Sequence, residues 1–124
     1  MKQHTSRFVE LVENAKAQIQ EITPEALHAW IESKKPFYLI DVREAEELAS
    51  GVIPGAIHLS KGVIERDIEK QIPVWNAPIV VYCSGGFRCA LVAQSLKTMG
   101  YTNVASLETG LRGWADAGYG LAKL

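Results

Sequence analysis

The sequence predicts an α/β domain with a parallel sheet covered by helices on both faces and one further helix ahead of it. Two observations carry this reading. Phe37-Tyr38-Leu39-Ile40 and Pro78-Ile79-Val80-Val81-Tyr82 are short, continuous apolar runs of the kind that form strands buried on both faces. Segments with helix caps or good helix formers lie between and after them, and that alternation favours parallel strands joined by helical crossovers. A chain of 124 residues, 48% hydrophobic and 22% charged, has the size and composition of one such domain.

The elements follow in order. Phe8, Leu11, Val12, Ala15 and Ile19 recur at helical spacing, which predicts an amphipathic helix in residues 1–20, an extension ahead of the domain at 21–124. Its apolar face suits either packing on the domain or a contact with a partner, including a second copy of the chain. Thr23-Pro24-Glu25 starts a helix running to about Ser33: a capping hydroxyl, a proline at the first helical position, and an acid near the positive end of the dipole. The run Phe37–Ile40 is a strand emerging at Asp41, and a short helix spans about Glu44 to Ala49. Gly51-Val52-Ile53-Pro54-Gly55-Ala56 is a turn, Ala56–Leu59 a short strand, and Val63–Lys70 a helix. Pro78–Tyr82 is the strongest strand and leads directly into Cys83. Cys89–Met99 reads as a helix stopped by Gly100.

A formal charge of -1 offers no field for nucleic acid or an anionic membrane. The longest apolar runs are strand-sized and the N-terminus has no signal-like stretch, so a cytoplasmic protein is expected, with no nucleic-acid or membrane partner. Two cysteines, Cys83 and Cys89, are too few for a structural zinc site and wrongly spaced for a CxxC pair. His4, His28 and His58 are scattered, and neither a metal nor a cofactor is expected.

The chemistry concentrates in Cys83-Ser84-Gly85-Gly86-Phe87-Arg88. In parallel sheets, ligands sit at the carboxyl ends of strands, and this loop leaves such an end for a helix. Its successive N–H groups can curl round the sulfur, Gly85 and Gly86 allow the positive φ values a cradle needs, and the following helix adds its dipole. Such surroundings lower a thiol pKa from near 8.5 to about 3.5–7.5, so Cys83 is expected to be a thiolate at neutral pH. Arg88 closes the loop with a planar guanidinium able to hold two oxygens of a sulfonate or phosphate.

This loop resembles the six-residue active loop of the rhodanese-like sulfurtransferases, in which a cysteine opens the loop and, in many single-domain members, an arginine lies five places on. Asp41-Val42-Arg43-Glu44 resembles the family's Asp-x-Arg strand end. Gly51–Ala56 resembles its Gly-His-Ile-Pro-Gly-Ala turn, with Val52 in place of histidine. Leu107-Glu108-Thr109-Gly110 with Trp114 resembles its Leu-x-Gly-Gly-x-x-x-Trp element, with Thr109 in place of a glycine. The resemblance implies a single rhodanese-like domain with a central parallel sheet of about five strands. It also implies sulfur transfer through a Cys83 persulfide, from a small-molecule donor such as thiosulfate to a thiophilic acceptor: cyanide, a thiol or a partner protein. Ser84, Gly85, Gly86, Phe87 and Arg88 would bind substrate.

Asp41 and Arg43 are read as scaffold for the site, Asp41 holding neighbouring N–H groups and Arg43 pairing with Glu47 four residues on. Cys89, where the family often has serine or threonine, is either a packed helix-start residue or a second thiol that engages Cys83. Two other readings stand beside sulfur transfer. One is a carrier or sensing module without efficient turnover. The other is a phosphatase or arsenate reductase of the same architecture; their loops put five residues between cysteine and arginine, whereas four separate Cys83 from Arg88.

Overall fold

The computed structural model describes residues 4–124. Five parallel strands form one sheet: β1 (Gln20–Ile22), β2 (Tyr38–Asp41), β3 (Ile57–His58), β4 (Ile79–Tyr82) and β5 (Val104–Leu107), in the order β1-β5-β4-β2-β3. The strand that leads into Cys83 is therefore the middle one. Around the sheet lie α1 (Ser6–Lys16), α2 (Pro24–Glu32), α3 (Ile64–Gln71), α4 (Arg88–Met99) and α5 (Gly110–Asp116), with a 3-10 helix at Ala45–Ser50.

All four residues of β4 are buried, as its unbroken apolar run requires, and alternate side chains supply two separate cores. Ile79 and Val81 pack with Ile64 and Ile68 of α3 and Val92, Ala93 and Leu96 of α4. Val80 and Tyr82 pack on the opposite face with Leu27 of α2 and Leu111 and Trp114 of α5. The register Ile40↔Val81 and Asp41↔Tyr82 brings the end of β2 level with the start of the cysteine loop.

The helix read at the N-terminus forms, and its apolar face packs on the domain: Val12 and Ala15 close against Ala90 of α4, with Phe8, Phe87 and Leu91 at the edge. Leu11 is 53% exposed, and Ile19 lies beyond the helix end, packed on the α3–α4 core. Thr23 caps α2, its Oγ1 accepting the Ala26 N–H at 3.1 Å.

Tyr38 is exposed, so β2 is buried on both faces only from Leu39 onward. Three elements have no counterpart in the sequence reading. The three residues of β1 are too few to reveal a period, and Ala105 and Ser106 of β5 are weak strand formers that pair because β1 and β4 flank them. Two glycines dilute the helical signal of α5.

Asp41 and Arg43 end β2 as an ion pair that is 1% and 2% exposed. Arg43 Nη2 donates to Asp41 Oδ2 at 2.8 Å and to the Gly51 carbonyl at 2.7 Å, and Nη1 donates to the Glu47 carbonyl at 3.2 Å. Asp41 Oδ1 also accepts the Arg43 backbone N–H at 2.9 Å, and His58 Nε2 donates to the Arg43 carbonyl at 2.7 Å. The expected side-chain pairing of Arg43 with Glu47 does not occur, because the nearer Asp41 takes the guanidinium and leaves the Glu47 carboxylate free for another partner. Asp41→Asn, which strands the buried guanidinium, should cost about 3–5 kcal/mol. Thermal unfolding should then show a Tm lower by on the order of 10–20 °C; an unchanged Tm would show that the pair carries no net stability.

Candidate active site

Cys83 follows β4 directly, 1% exposed, at the floor of a cavity of about 780 Å³. The loop wraps its sulfur as a cradle, with the Gly86 N–H donating to Cys83 Sγ at 3.2 Å. Of the two loop glycines, only Gly86 has a positive φ, +92°, and a Cβ there would also overlap the Glu108 carbonyl. Gly85 does not use that freedom. It is bare where the loop faces the cavity, and a Cβ there would lie 3.9 Å from Arg112 Nη1.

The loop is clamped from the far side by the start of α5. The Leu111 N–H donates to the Cys83 carbonyl at 2.8 Å and the Arg112 N–H to the Ser84 carbonyl at 2.9 Å. Gly110 sits so close that a Cβ would come within 2.7 Å of the Cys83 carbonyl oxygen. Thr109 replaces glycine at little cost, because its side chain fills the space that Gly113 leaves empty. Val52, at the other departure from the family pattern, is 2% exposed and exchanges two backbone hydrogen bonds of 2.8 Å with Ala122.

Cys89, in the first turn of α4, has its Sγ 3.4 Å from Cys83 Sγ. It accepts the Ser106 hydroxyl at 3.1 Å, and the Leu107 carbonyl lies 3.7 Å away. The shared contact holds the Cys83 thiol below its ordinary range, at about 6: the hydrogen bond from Cys89 leads, N–H groups of Cys89 and Gly86 and the charge of Arg88 assist, and burial opposes them. The Cys89 thiol is correspondingly pushed up, by that same bond and by burial. These surroundings favour the thiolate at Cys83, with Cys89 as its S–H donor.

Arg88 does not project alone into the cavity. Its Nη1 and Nη2 fork onto Glu47 Oε1 and Oε2 at 2.6 and 2.9 Å. The guanidinium holds the Glu47 carboxyl down at about 2, and the Glu44 N–H, 2.9 Å from Oε1, fixes it further. The cavity's other cation is Arg112, on α5, whose guanidinium has no hydrogen bond or ion pair among the described residues; Asp116, one turn on, shares the cavity without bridging to it. On the opposite side stand His4, Phe8 and Phe87, the His4 and Phe87 rings 4.4 Å apart between centroids.

The six loop residues and Cys89 thus form one site. Asp41 and Arg43 lie outside it, joined to it by the 3-10 helix and by the pairing of β2 with β4. Arg112 and Ser106 were not singled out by sequence reasoning, and Glu47 was read as a partner of Arg43 rather than of Arg88. Glu47 is 41 residues from Arg88, and no local pattern announces that pairing.

A cysteine cradle at the carboxyl end of the central strand of a five-stranded parallel sheet, with Arg88 and Arg112 at the cavity it opens on, defines an α/β domain built around one buried thiol. The chain belongs to the rhodanese-like domain family, whose model matches residues 23–117. Among relatives, YtwF of Bacillus subtilis, a candidate sulfurtransferase, is 37% identical over 97 residues, covering 78% of this chain and 91% of that one. YrkF of the same organism, a candidate sulfur carrier, is 32% identical over 102 residues, 82% of this chain; the match spans only about half, 54%, of YrkF. Two solved structures superpose closely. A Rhodopseudomonas palustris protein of unknown function, RPA3614, named a possible tyrosine phosphatase, has a TM-score of 0.84 at 30% identity, covering 98% of this chain and 99% of that one. A thiosulfate sulfurtransferase from Pseudomonas aeruginosa has a TM-score of 0.83 at 28% identity, covering 94% of this chain and 22% of that one. No helix among the described residues is long and apolar enough to cross a membrane.

Alkylation of Cys83 by iodoacetamide should follow a titration with its midpoint about pH 6, the reactive thiolate dominating above it. Cys89→Ala, which removes the S–H donor, should move that midpoint up toward the ordinary thiol value near 8.5, with Cys89→Ser falling between. A midpoint unmoved in Cys89→Ala would show that the N–H groups and Arg88 suffice.

Proposed function

We propose that this chain is a sulfurtransferase that carries sulfane sulfur on Cys83. The observation that carries the proposal is the sulfur itself: a buried thiol whose pKa is lowered by donors converging on it, at the floor of a cavity bordered by an arginine without an ion-pair partner among the described residues. Family membership and the relative YtwF favour the same chemistry.

In the first half-reaction the Cys83 thiolate attacks the outer sulfur of a donor such as thiosulfate. The bond from that sulfur to the sulfonate breaks, sulfite leaves with the electron pair, and Cys83–S–S⁻ remains. The cradle that favours the thiolate favours the persulfide anion for the same reason. Because Glu47 neutralises Arg88, the guanidinium available for the sulfite oxygens is Arg112; Arg88 contributes its field to Cys83 and, with Glu47, holds the start of α4 in place. In the second half-reaction a thiophilic acceptor takes the outer sulfur and restores the thiolate. The acceptor is cyanide in the laboratory, and a thiol or a partner protein in the cell.

The name of YrkF favours a second reading, a carrier that loads sulfur without efficient turnover. Phosphatase chemistry, in the name of RPA3614, is disfavoured because the four-residue spacing between Cys83 and Arg88 closes a ring small for a phosphate.

Intact-mass measurement after thiosulfate should show a gain of one sulfur, about 32 Da, that cyanide removes and Cys83→Ser abolishes. Failure to gain sulfur from thiosulfate or any other sulfane donor would remove the sulfurtransferase reading. Steady thiocyanate production separates turnover from carriage. Arg112→Ala should raise KM for thiosulfate roughly tenfold or more, the loss of a charge-assisted hydrogen bond of about 1.5–3 kcal/mol, with kcat changed little.

A further inference from the structure

The second thiol is placed for more than packing. Cys89 Sγ lies 3.4 Å from Cys83 Sγ, within the roughly 3–3.5 Å that defines a near-attack arrangement. Both thiols are free, and both are buried. Cys89 lies beneath the loop, packed in the core between β4, α4 and β5, whereas the cavity opens above it along Ser84, Gly85, Arg88 and Arg112. A sulfur added to Cys83 from the cavity therefore extends away from Cys89, and Cys89 faces the inner sulfur from behind. Ser106 supplies the remaining part. It is 0% exposed on β5, and its hydroxyl donates at 3.1 Å to Cys89 Sγ, its one side-chain hydrogen bond among the described residues. A buried donor aimed at a thiol supports the thiolate of that thiol.

We propose that Cys89 resolves the Cys83 persulfide, so that a loaded domain left without an acceptor expels hydrosulfide and closes an internal disulfide. The step is Cys83–S–S⁻ + Cys89–SH → Cys83–S–S–Cys89 + HS⁻. A bond forms between the two Sγ atoms while the bond from Cys83 Sγ to the outer sulfur breaks. The outer sulfur leaves with the bonding pair and the Cys89 proton, reduced to sulfide, while the Cys89 sulfur is oxidised to the disulfide level that the Cys83 sulfur already holds in the persulfide. The persulfide is itself the oxidant, so the step consumes no other reagent; a dithiol reductant reopens the site. Before loading, negative charge on Cys83 keeps the proton on Cys89. Loading moves that charge one atom outward, and the restraint on Cys89 weakens only once sulfur is present. The inference rests on the sulfurtransferase reading for the arrival of that sulfur.

The test uses the full chain, reduced, loaded with thiosulfate under anaerobic conditions, desalted and followed by intact mass without acceptor. The species heavier by about 32 Da should give way to one about 2 Da lighter than the reduced protein, with matching release of sulfide, at a rate independent of protein concentration. Trypsin cuts after Arg88, so the disulfide should join the peptide ending at Arg88 to the one beginning at Cys89. In Cys89→Ser the heavier species should persist at least about tenfold longer, with no disulfide. Equal persistence in the two proteins, or sulfide release that scales with protein concentration, would overturn the proposal. If Cys89→Ser loads sulfur and the wild type keeps it equally long, the sulfurtransferase reading stands and this inference falls. If neither protein accepts sulfur from any sulfane donor, both fall.

Discussion

The buried Asp41–Arg43 pair is the constraint from which the rest of the site is hung. A guanidinium and a carboxylate taken out of water are costly unless every donor and acceptor is used, and here the surplus donors of Arg43 go to the Gly51 and Glu47 carbonyls and to Ser50 Oγ at 3.3 Å. Those bonds pin a 3-10 helix against the end of the sheet. That helix offers Glu47, Glu47 holds Arg88, and Arg88 begins the helix whose first turn carries Cys89. A charge pair with no part in the chemistry thus sets the geometry of the groups that do it.

Burial of Cys83 taken alone would favour the neutral thiol, and an equally buried neighbour, Cys89, does remain neutral. What separates the two is the set of donors and charges that reaches each sulfur. Cys83 receives donors from the Gly86 N–H, the Cys89 N–H and the Cys89 S–H. Cys89 receives the Ser106 hydroxyl and gives its proton away. Two chemically identical groups in contact are driven apart in acidity by the N–H donors and the Arg88 charge that reach Cys83, and the low dielectric around them sharpens the difference.

Much of this was legible in the sequence, for a physical reason in each case. The run Ile79–Tyr82 reads as a strand buried on both faces, Thr23-Pro24 as a helix start, and a cysteine followed by a serine and two glycines as a loop that curls round its sulfur. Each signal is local, carried by residues adjacent in the chain. The parts that were missed are held together at a distance. Arg88 satisfies Glu47 rather than waiting for substrate, Arg112 reaches the cavity from the last helix, and β1, β5 and α5 take their form from neighbours rather than from their own composition. Arg43 was rightly placed near the strand end and wrongly paired, because spacing of four on a helix cannot reveal that a nearer carboxylate competes.

The clamp of α5 on the loop has a consequence for how the reactive thiol comes into being. The groups that shape the cradle's outer side, from the Glu108 carbonyl to the Arg112 N–H, follow Cys83 by more than twenty residues and lie just before and at the start of α5. On a ribosome, where domains fold as the chain emerges, Cys83 leaves the exit tunnel before the residues that hold its loop closed. Until they arrive the loop lacks the two bonds that the Leu111 and Arg112 N–H groups make to it. Closure of the loop is therefore a late event in the birth of the molecule, coupled to completion of the fold around it.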